Sequence, residues 1–386
     1  MKILHLCLAS FYVDNYTYQE NMLPKYHKKM GLDVEIVASL VSFNENGKIR
    51  LMPNTERYIN EFGIPVTRID YKKMKINKKL RRYRDTYKHI ERINPDIIFV
   101  HGCQFMDITH VVNYAKKNKN VTVFVDNHAD FSNSAKNIFS KNILHKVLWR
   151  SCAKKIEPYT KKFYGVMPSR VDFLQDIYKI PKEKVELLVM GVDDEKVSLS
   201  DQNKFKIEIR NKYGIDDNDF LIVTGGKIDL AKRQTLLLIK AVKSIKDYNV
   251  KLIVFGSIVD ELKNEIEELV DSNKVYYAGW LNTEESYKYF SSADLVVFPG
   301  RHSVFWEQIT GMGIPLIIKY WNGTTHVDLG GNCKFLHNDS VEEIKASIEE
   351  ILKNDKSEYK KMKRIAKNNE SKKFLYSEIA KRSIEF

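Results

Sequence analysis

The sequence predicts an α/β protein built from two doubly wound parallel sheets, two Rossmann-like domains facing each other across a cleft. Short unbroken apolar runs alternate with helical stretches along the whole chain, the pattern of parallel strands joined by crossover helices. The runs show no polar alternation, as is usual for strands covered on both faces. The length, 386 residues, exceeds what one hydrophobic core comfortably holds.

Taken in order, the runs at 3–8, 34–37, 97–100, 121–125, 163–167 and 185–189 read as the strands of a first sheet. A second series follows at 220–224, 251–255, 275–277, 295–298 and 316–318. Between them lies a polar stretch, 193–218, headed by the turn Gly191-Val192-Asp193-Asp194. The boundary is placed there, with residues 1–195 as the first domain and 196–365 as the second. Residues 366–386 are helical and charged, and are expected to return to the first domain. Open α/β sheets bind ligands beyond the C-terminal ends of their strands, so the loops after these runs are where function is sought.

Apolar residues make up 43 % and aromatic residues 11 % of the chain, which excludes a disordered protein. No apolar run nears the ~20 residues that span a bilayer. The first run is too short for a signal-peptide core, so a cytoplasmic protein is expected. Cys7, Cys103, Cys152 and Cys333 show neither CxxC nor Cys/His ligand spacing; disulfides and structural zinc are not expected. A net charge of +13 favours anionic partners such as nucleotides, nucleic acid or acidic lipid. Lys72, Lys73, Lys75, Lys78, Lys79, Arg81, Arg82 and Arg84 form one cluster, and Lys154, Lys155, Lys161 and Lys162 another. Each reads either as a solvated face or as contact with an anionic membrane surface. No helix-turn-helix, zinc or aromatic-sheet signature accompanies them, so nucleic acid is not expected as a partner.

The run 220–224 leads into Thr224-Gly225-Gly226-Lys227-Ile228-Asp229-Leu230-Ala231-Lys232-Arg233 and then an apolar-periodic helix. A parallel strand end, a glycine turn and a helix start with three cations suit a phosphate. Neither G-x-x-x-x-G-K-[ST] nor G-x-G-x-x-G is present. Lys227 and Lys232, five residues apart, suit a diphosphate held by side chains; a solvated basic turn is the alternative. In the first half, His101-Gly102-Cys103-Gln104 and Asp126-Asn127-His128-Ala129-Asp130 follow strand ends. Histidines at that edge face the expected cleft, which makes His128 and His101 candidates. Asp126 and Asp130 either orient His128 or cap the next helix. In the second half, Pro299-Gly300-Arg301-His302-Ser303 precedes Glu307 and Gln308. Glu307, at a helix start, suits a ribose diol, because ionised acceptors make the stronger bonds, or simply complements the helix dipole. Trp321-Asn322-Gly323-Thr324-Thr325-His326 is a further glycine turn after a strand, with N–H groups and hydroxyls suited to a phosphate.

In this order, the landmarks resemble the GT-B retaining glycosyltransferases of glycosyltransferase family 4, the bacterial polysaccharide-type group 1 enzymes, over nearly the whole chain. Gly226-Lys227-Ile228-x-x-x-Lys232 is similar to the family's G-R-L-x-x-x-K, with Lys227 in the arginine's place. Pro181-x-x-Lys184-Val185 and Gly191-Val192-Asp193 resemble its interdomain segment, with Met190 where asparagine is usual. Ala278-Gly279-Trp280, Tyr287 and Ala293-Asp294-Leu295 through Pro299 are similar to its "G … Y … A-D-V-F-V-x-P" stretch. His128 stands where the family has a histidine that touches the transferred sugar. Two stretches depart from the pattern. The second glutamate of the family's E-x7-E falls on Gln308, with Glu307 just before it, and the first has no clear counterpart, its ground being covered by Arg301, His302 or Ser303. Asp14-Asn15-Tyr16-Thr17-Tyr18-Gln19-Glu20 replaces the usual Gly-Gly loop.

The resemblance implies retaining transfer of a sugar, a hexose, from a nucleotide-diphosphate sugar (UDP foremost) to a glycan or lipid-linked acceptor in surface-polysaccharide synthesis. The enzyme would sit peripherally at the inner face of the plasma membrane, with the 72–84 run on anionic lipid. It implies His128, Lys227 and Lys232 as catalytic residues. Donor contacts would come from Gly226, Arg233, Gly279, His302, Ser303, Glu307, Gln308, Thr324 and Thr325, and acceptor-side contacts from Tyr16, Gln19, His101 and Asp130. No D-x-D motif flags a divalent metal and the lysines already carry positive charge, so neither metal nor other cofactor is expected. The alternatives are a nucleotide-sugar 2-epimerase on the same fold and a non-catalytic subunit of that fold.

Overall fold

The computed structural model describes residues 1–386 apart from 44–48, 132, 136, 138–139, 198, 231–232 and 386. The chain divides into two compact units, Met1–Val189 together with Ile379–Phe386, and Met190–Glu378.

The first unit contains strands Lys2–Cys7 (β1), Asp33–Ser39 (β2), Val41–Phe43 (β3), Ile49–Leu51 (β4), Arg57–Ile59 (β5), Pro65–Ile69 (β6), Ile97–His101 (β7), Thr122–Asn127 (β8), Thr160–Gly165 (β9) and Val185–Leu187 (β10). Eight of them form one sheet in the order β10-β9-β8-β7-β1-β2-β6-β5. Its neighbours run parallel except for β5 against β6 at the edge. β3 and β4 form a separate antiparallel pair. β1 and β7 lie at the centre, where aliphatic residues such as Ile3, Leu4, Leu6, Ile97, Ile98 and Val100 have no exposed surface. Helices complete the core by spacing: Ile108, Val111, Val112 and Ala115 of Ile108–Lys117 all turn inward, the stripe of an amphipathic helix.

The second unit contains Phe220–Gly225 (β11), Val250–Phe255 (β12), Val275–Tyr277 (β13), Leu295–Phe298 (β14), Leu316–Lys319 (β15) and Cys333–Leu336 (β16). All are parallel, in the order β13-β12-β11-β14-β15-β16. Counted along the chain this is 3-2-1-4-5-6, the doubly wound order of Rossmann sheets, with its topological switch beside the first strand. The first unit repeats the order about β1, with β10 added as a parallel strand at one edge and β5 as an antiparallel strand at the other.

Each apolar run read as a strand is one. Missing from that reading are β3, β4, β5, β6 and β16. β6 reads Pro-Val-Thr-Arg-Ile, and Arg68 breaks the apolar signal. Arg68 is nonetheless buried, because its guanidinium pairs with Asp14 at 3.1 Å and donates to the carbonyls of Tyr12 and Ser39. In β16 Lys334 interrupts similarly and reaches Glu350 at 2.6 Å. The four cysteines are free and buried. Among the described residues no helix is long and apolar enough to cross a membrane.

Candidate functional site

In the second unit the glycine turn after β11 is set by close backbone packing. Gly226 has φ +113° and its N–H donates to the Phe255 carbonyl at 3.1 Å. A Cβ on Gly225 would lie 2.1 Å from the Phe255 ring, and one on Gly256 would lie 1.9 Å from the Gly226 carbonyl oxygen. The Gly279 carbonyl braces the arrangement by accepting from the Gly256 N–H at 2.7 Å. The C-terminal ends of β11, β12 and β14 thereby border an open pocket. It is lined by Thr224, Gly225, Gly226, Lys227, Ile228, Thr235, Val254, Phe255, Phe298, Pro299, Gly300, Arg301 and Ser303. Lys227 and Arg301 are both exposed, and among the described residues no carboxylate pairs with either. Two unneutralised cations above an apolar floor suit an anion attached to a flat ring system, at the switch point where open sheets bind ligands.

The remaining sequence candidates distribute unevenly around this pocket. Ser303 lines it. Lys232 lies outside the described residues. Arg233, at the N-cap of helix Gln234–Ser244, is tied to Glu265 at 3.1 Å. Thr324 uses both its N–H (3.1 Å) and its hydroxyl (2.8 Å) on the Trp321 carbonyl, while Thr325 is exposed at the start of the turn Thr325–Val327.

Glu307 belongs to a separate arrangement. It sits on helix Phe305–Gly311 with no exposed surface, and Gln308 beside it is also buried. Its Oε1 accepts from His302 Nε2 at 2.8 Å and from His326 Nε2 at 2.9 Å, while Oε2 has no partner. Burial alone would raise its pKa, but the two imidazoles outweigh that and pull it down to about 2. The carboxylate thus faces histidines, and His302 is the member of the group with most exposure.

Among the described residues this is the group of side chains whose atoms lie close enough to hold a metal ion. The contacts fit hydrogen bonds better. The ligand atoms already pair with one another, and His326 Nδ1 has no partner, whereas a metal-bound imidazole normally hands its second nitrogen to an acceptor.

A carboxylate held below its unfolded value of 4.5 stabilises the fold above that pH. The contribution is lost as pH falls from about 4.5 toward 2. Glu307→Gln is therefore expected to be less stable than the parent at pH 6, by on the order of 3 kcal/mol. The gap should narrow toward pH 3, read as melting temperature against pH.

In the first unit the candidates gather where β7 and β8 end. His128 Nε2 lies 3.4 Å from Asp126 Oδ2 and 3.9 Å from Glu20 Oε1. Burial pulls the His128 pKa down, but the two carboxylates outweigh it and leave it above the ordinary histidine value. Asp126 is fully buried; His101 and His128 overcome the cost of burial and hold its carboxyl well below the usual range. His101 has no exposed surface and donates from Nδ1 to Asp126 at 2.8 Å. Gln19 precedes Glu20 on the same helix, and both atoms of its amide are buried without a partner. Asp130 instead pairs with Arg170 at 3.2 Å, and Tyr16 packs among Tyr18 and Phe43. Sequence reasoning passed over Arg301 as a pocket cation and Glu20 as a partner of His128. It also passed over His5 and His27, although a histidine inside the apolar run of β1 was a visible signal.

Comparison with known proteins agrees with this architecture. Residues 205–372 match the family model for glycosyl transferases group 1. An uncharacterized glycosyltransferase of Methanocaldococcus jannaschii is 24 % identical over 156 residues, 39 % of this chain and 40 % of that protein. The match thus spans about two-fifths of that relative's length. Sucrose-phosphate synthase from Thermosynechococcus elongatus superposes with a TM-score of 0.68 at 13 % identity, over 99 % of this chain and 97 % of that one. Anabaena HepE in complex with UDP superposes with a TM-score of 0.64 at 15 % identity, over 99 % and 98 %. The chain therefore has the GT-B fold, and residues 205–372, in its second unit, are similar to the group 1 glycosyl transferases.

Proposed function

We propose that the protein is a retaining glycosyltransferase of family 4 that moves a hexose from a UDP-sugar to a glycan or lipid-linked acceptor in surface-polysaccharide synthesis. The observation that carries this reading is the pocket at the end of β11, where Lys227 and Arg301 stand unneutralised beside a close-packed glycine turn. A solved neighbour holding UDP supports a nucleotide there. The donor diphosphate rests on the Gly226 turn, and Lys227, Lys232 and Arg301 stabilise the charge that grows on it as the glycosidic bond breaks. The leaving phosphate oxygen takes the acceptor's proton on the same face, so no separate base is required. His128 holds the sugar through a hydroxyl. The cations serve where a metal otherwise would, so chelators leave the rate unchanged.

The 72–84 segment is proposed as the contact with the anionic cytoplasmic leaflet. Met74 (74 % exposed) and Ile76 (49 %) project among the exposed Lys72, Lys73, Lys75, Lys78 and Lys79. Apolar side chains among cations suit the boundary between headgroups and acyl chains. Arg81 is committed elsewhere, to the carbonyls of Ala9 and Gln104.

The test is thermal denaturation with UDP, GDP, ADP, CMP and their sugar conjugates, with and without EDTA. Ligand at ~100 times its Kd adds about 2.7 kcal/mol, so one nucleotide class should raise the melting temperature whether or not EDTA is present. No shift with any of them at millimolar concentration would point to the non-catalytic subunit. Rearranged sugar and free UDP in the absence of acceptor would identify an epimerase.

A further inference from the structure

Beneath the strand ends of the first unit, polar side chains form an unbroken line. Asp126 Oδ2, which faces His128, takes a hydrogen bond from His101 Nδ1 at 2.8 Å. His101 Nε2 meets His5 Nδ1 at 3.0 Å, and His5 Nε2 meets His27 Nδ1 at 2.9 Å. His27 Nε2 meets the Ala380 carbonyl at 3.1 Å and Ser383 Oγ at 2.9 Å. Register explains how β1, β7 and β8 build it. His5 pairs with Phe99, Phe99 with Phe124, and His101 with Asp126, so with a side-chain period of two all stand on one face of the sheet. Helix Gln19–Lys29 supplies His27, and Ile379–Phe386 supplies the far end. His5, His27, His101, Asp126 and Ser383 all have 0 % exposure.

A neutral imidazole has one N–H and one lone pair, so donation can be counted along the line. In one arrangement His27 donates from Nε2 to the Ala380 carbonyl, which only accepts, and accepts at Nδ1. His5 must then donate from Nε2 and accept at Nδ1, which requires His101 to donate from Nε2. The Asp126 carboxylate also only accepts, so His101 must donate from Nδ1 as well. Only an imidazolium does both. Every contact is donor to acceptor when the line holds one proton beyond its neutral histidines, with the charge on His101 against Asp126.

With one proton fewer on the line, that proton having gone to bulk solvent, each N–H between the rings points the other way. His101 Nε2–H passes to His5 Nδ1, and His5 Nε2–H passes to His27 Nδ1. The Ser383 hydroxyl, which lies 2.8 Å from the Ala380 carbonyl, turns to donate to His27 Nε2. His27 then presents a lone pair to that carbonyl.

We infer that His101, His5, His27 and Ser383 form a single-proton relay whose members are positioning residues, acting through Asp126 to set the charge on His128. While the relay is protonated, His101 and His128 share one carboxylate. Once it is deprotonated, the full Asp126 charge faces His128 and holds a proton there more tightly. Burial and the neighbouring imidazoles push His5 well below the ordinary value. Burial likewise takes His27 to about 4, against a smaller opposing pull from the Ala380 carbonyl; neither ring keeps the charge itself. The other titratable or charged groups around the line are Cys7 on β1, Glu20 beside His27's helix start, Arg68 on β6, Tyr164 on β9, Arg170, and Arg382 in the last segment. The relay stands on the first unit alone and does not rest on the donor reading of the second.

The test is histidine side-chain NMR on the full chain labelled with 15N-histidine, which separates imidazolium, Nδ1–H and Nε2–H forms without any assay of activity. The protonated line should show as an imidazolium His101 with His5 and His27 in the Nε2–H form, and the deprotonated line as Nδ1–H in all three rings, the two exchanging together as pH is changed. His27→Phe removes the far acceptor, should return His101 to the neutral Nδ1–H form, and should raise the His128 midpoint by about one pH unit. Ser383→Ala removes the donor that the deprotonated line needs, so it should lower that midpoint. Lost packing alone does not give opposite signs. His5 and His27 in the Nδ1–H form at every pH, or a His128 midpoint unmoved in both variants, would overturn the relay. Should His27→Phe fail to fold, an unmoved midpoint in Ser383→Ala overturns it alone.

Discussion

Lys227→Ala is expected to lower kcat for sugar transfer by about 10²-fold, the loss typical of removing one preorganised donor from a developing anion. The side chain is exposed and among the described residues pairs with no carboxylate, so its removal should change stability by no more than about 0.5 kcal/mol. The melting temperature of the free protein should therefore hold, while the shift induced by a nucleoside diphosphate disappears. Kinetics then say where the lysine acts. A fall in kcat at constant KM places it on the transition state, whereas a rise in KM alone places it on ground-state binding. Arg301→Ala tests the second cation of the same pocket by the same readout, and unchanged kcat and binding in both variants would sink the diphosphate assignment.

Gly256→Ala carries the largest expected cost to stability. Its φ is +126°, and an added Cβ would meet the Gly226 carbonyl oxygen at 1.9 Å. Both partners are backbone, so no rotamer can relieve the clash. A non-glycine residue in such a conformation costs about 1–3 kcal/mol and overpacking about 1–3 kcal/mol more. A combined loss of roughly 3–4 kcal/mol lowers the melting of a unit this size by about 10 °C. Because Gly226 must shift to admit the methyl, nucleotide binding should fall in whatever protein still folds. Gly279→Ala is the matched control: φ is +77° with nothing within 4 Å of the new Cβ, so it keeps the conformational penalty and lacks the clash. Equal melting temperatures for the two variants would show that the close approach of the turns is not what holds the pocket.

The doubly wound architecture was legible because parallel strands buried on both faces leave unbroken apolar runs, and Gly225-Gly226-Lys227 marked the pocket through chain chemistry alone. Where the reading fell short, the cause was a polar residue whose partner lies far along the chain. Arg68 conceals β6 because Asp14, which neutralises it, is 54 residues away. Glu307 reads as a ligand-facing carboxylate at a helix start, and nothing local reveals that His302 and His326 already occupy its Oε1. His5 shows the same limit more sharply. Its two partners are 96 and 22 residues distant, so its role exists only once the sheet is assembled. The missing signals are contact signals, which one sequence does not display.

The first unit opens at Met1 but is completed only by Ile379–Phe386. During synthesis those residues follow β10 by roughly 190 others. At ribosomal speeds of about 5–20 residues per second, this is a delay of about 10–40 s. Throughout that interval the nascent first unit lacks the segment that receives His27, leaving a polar nitrogen and apolar surface uncovered while the second unit is already being made. The chain order thus lets the whole second unit emerge before the first can be completed. That interval is when it is most open to chaperones, and to mistaken pairing with other nascent copies.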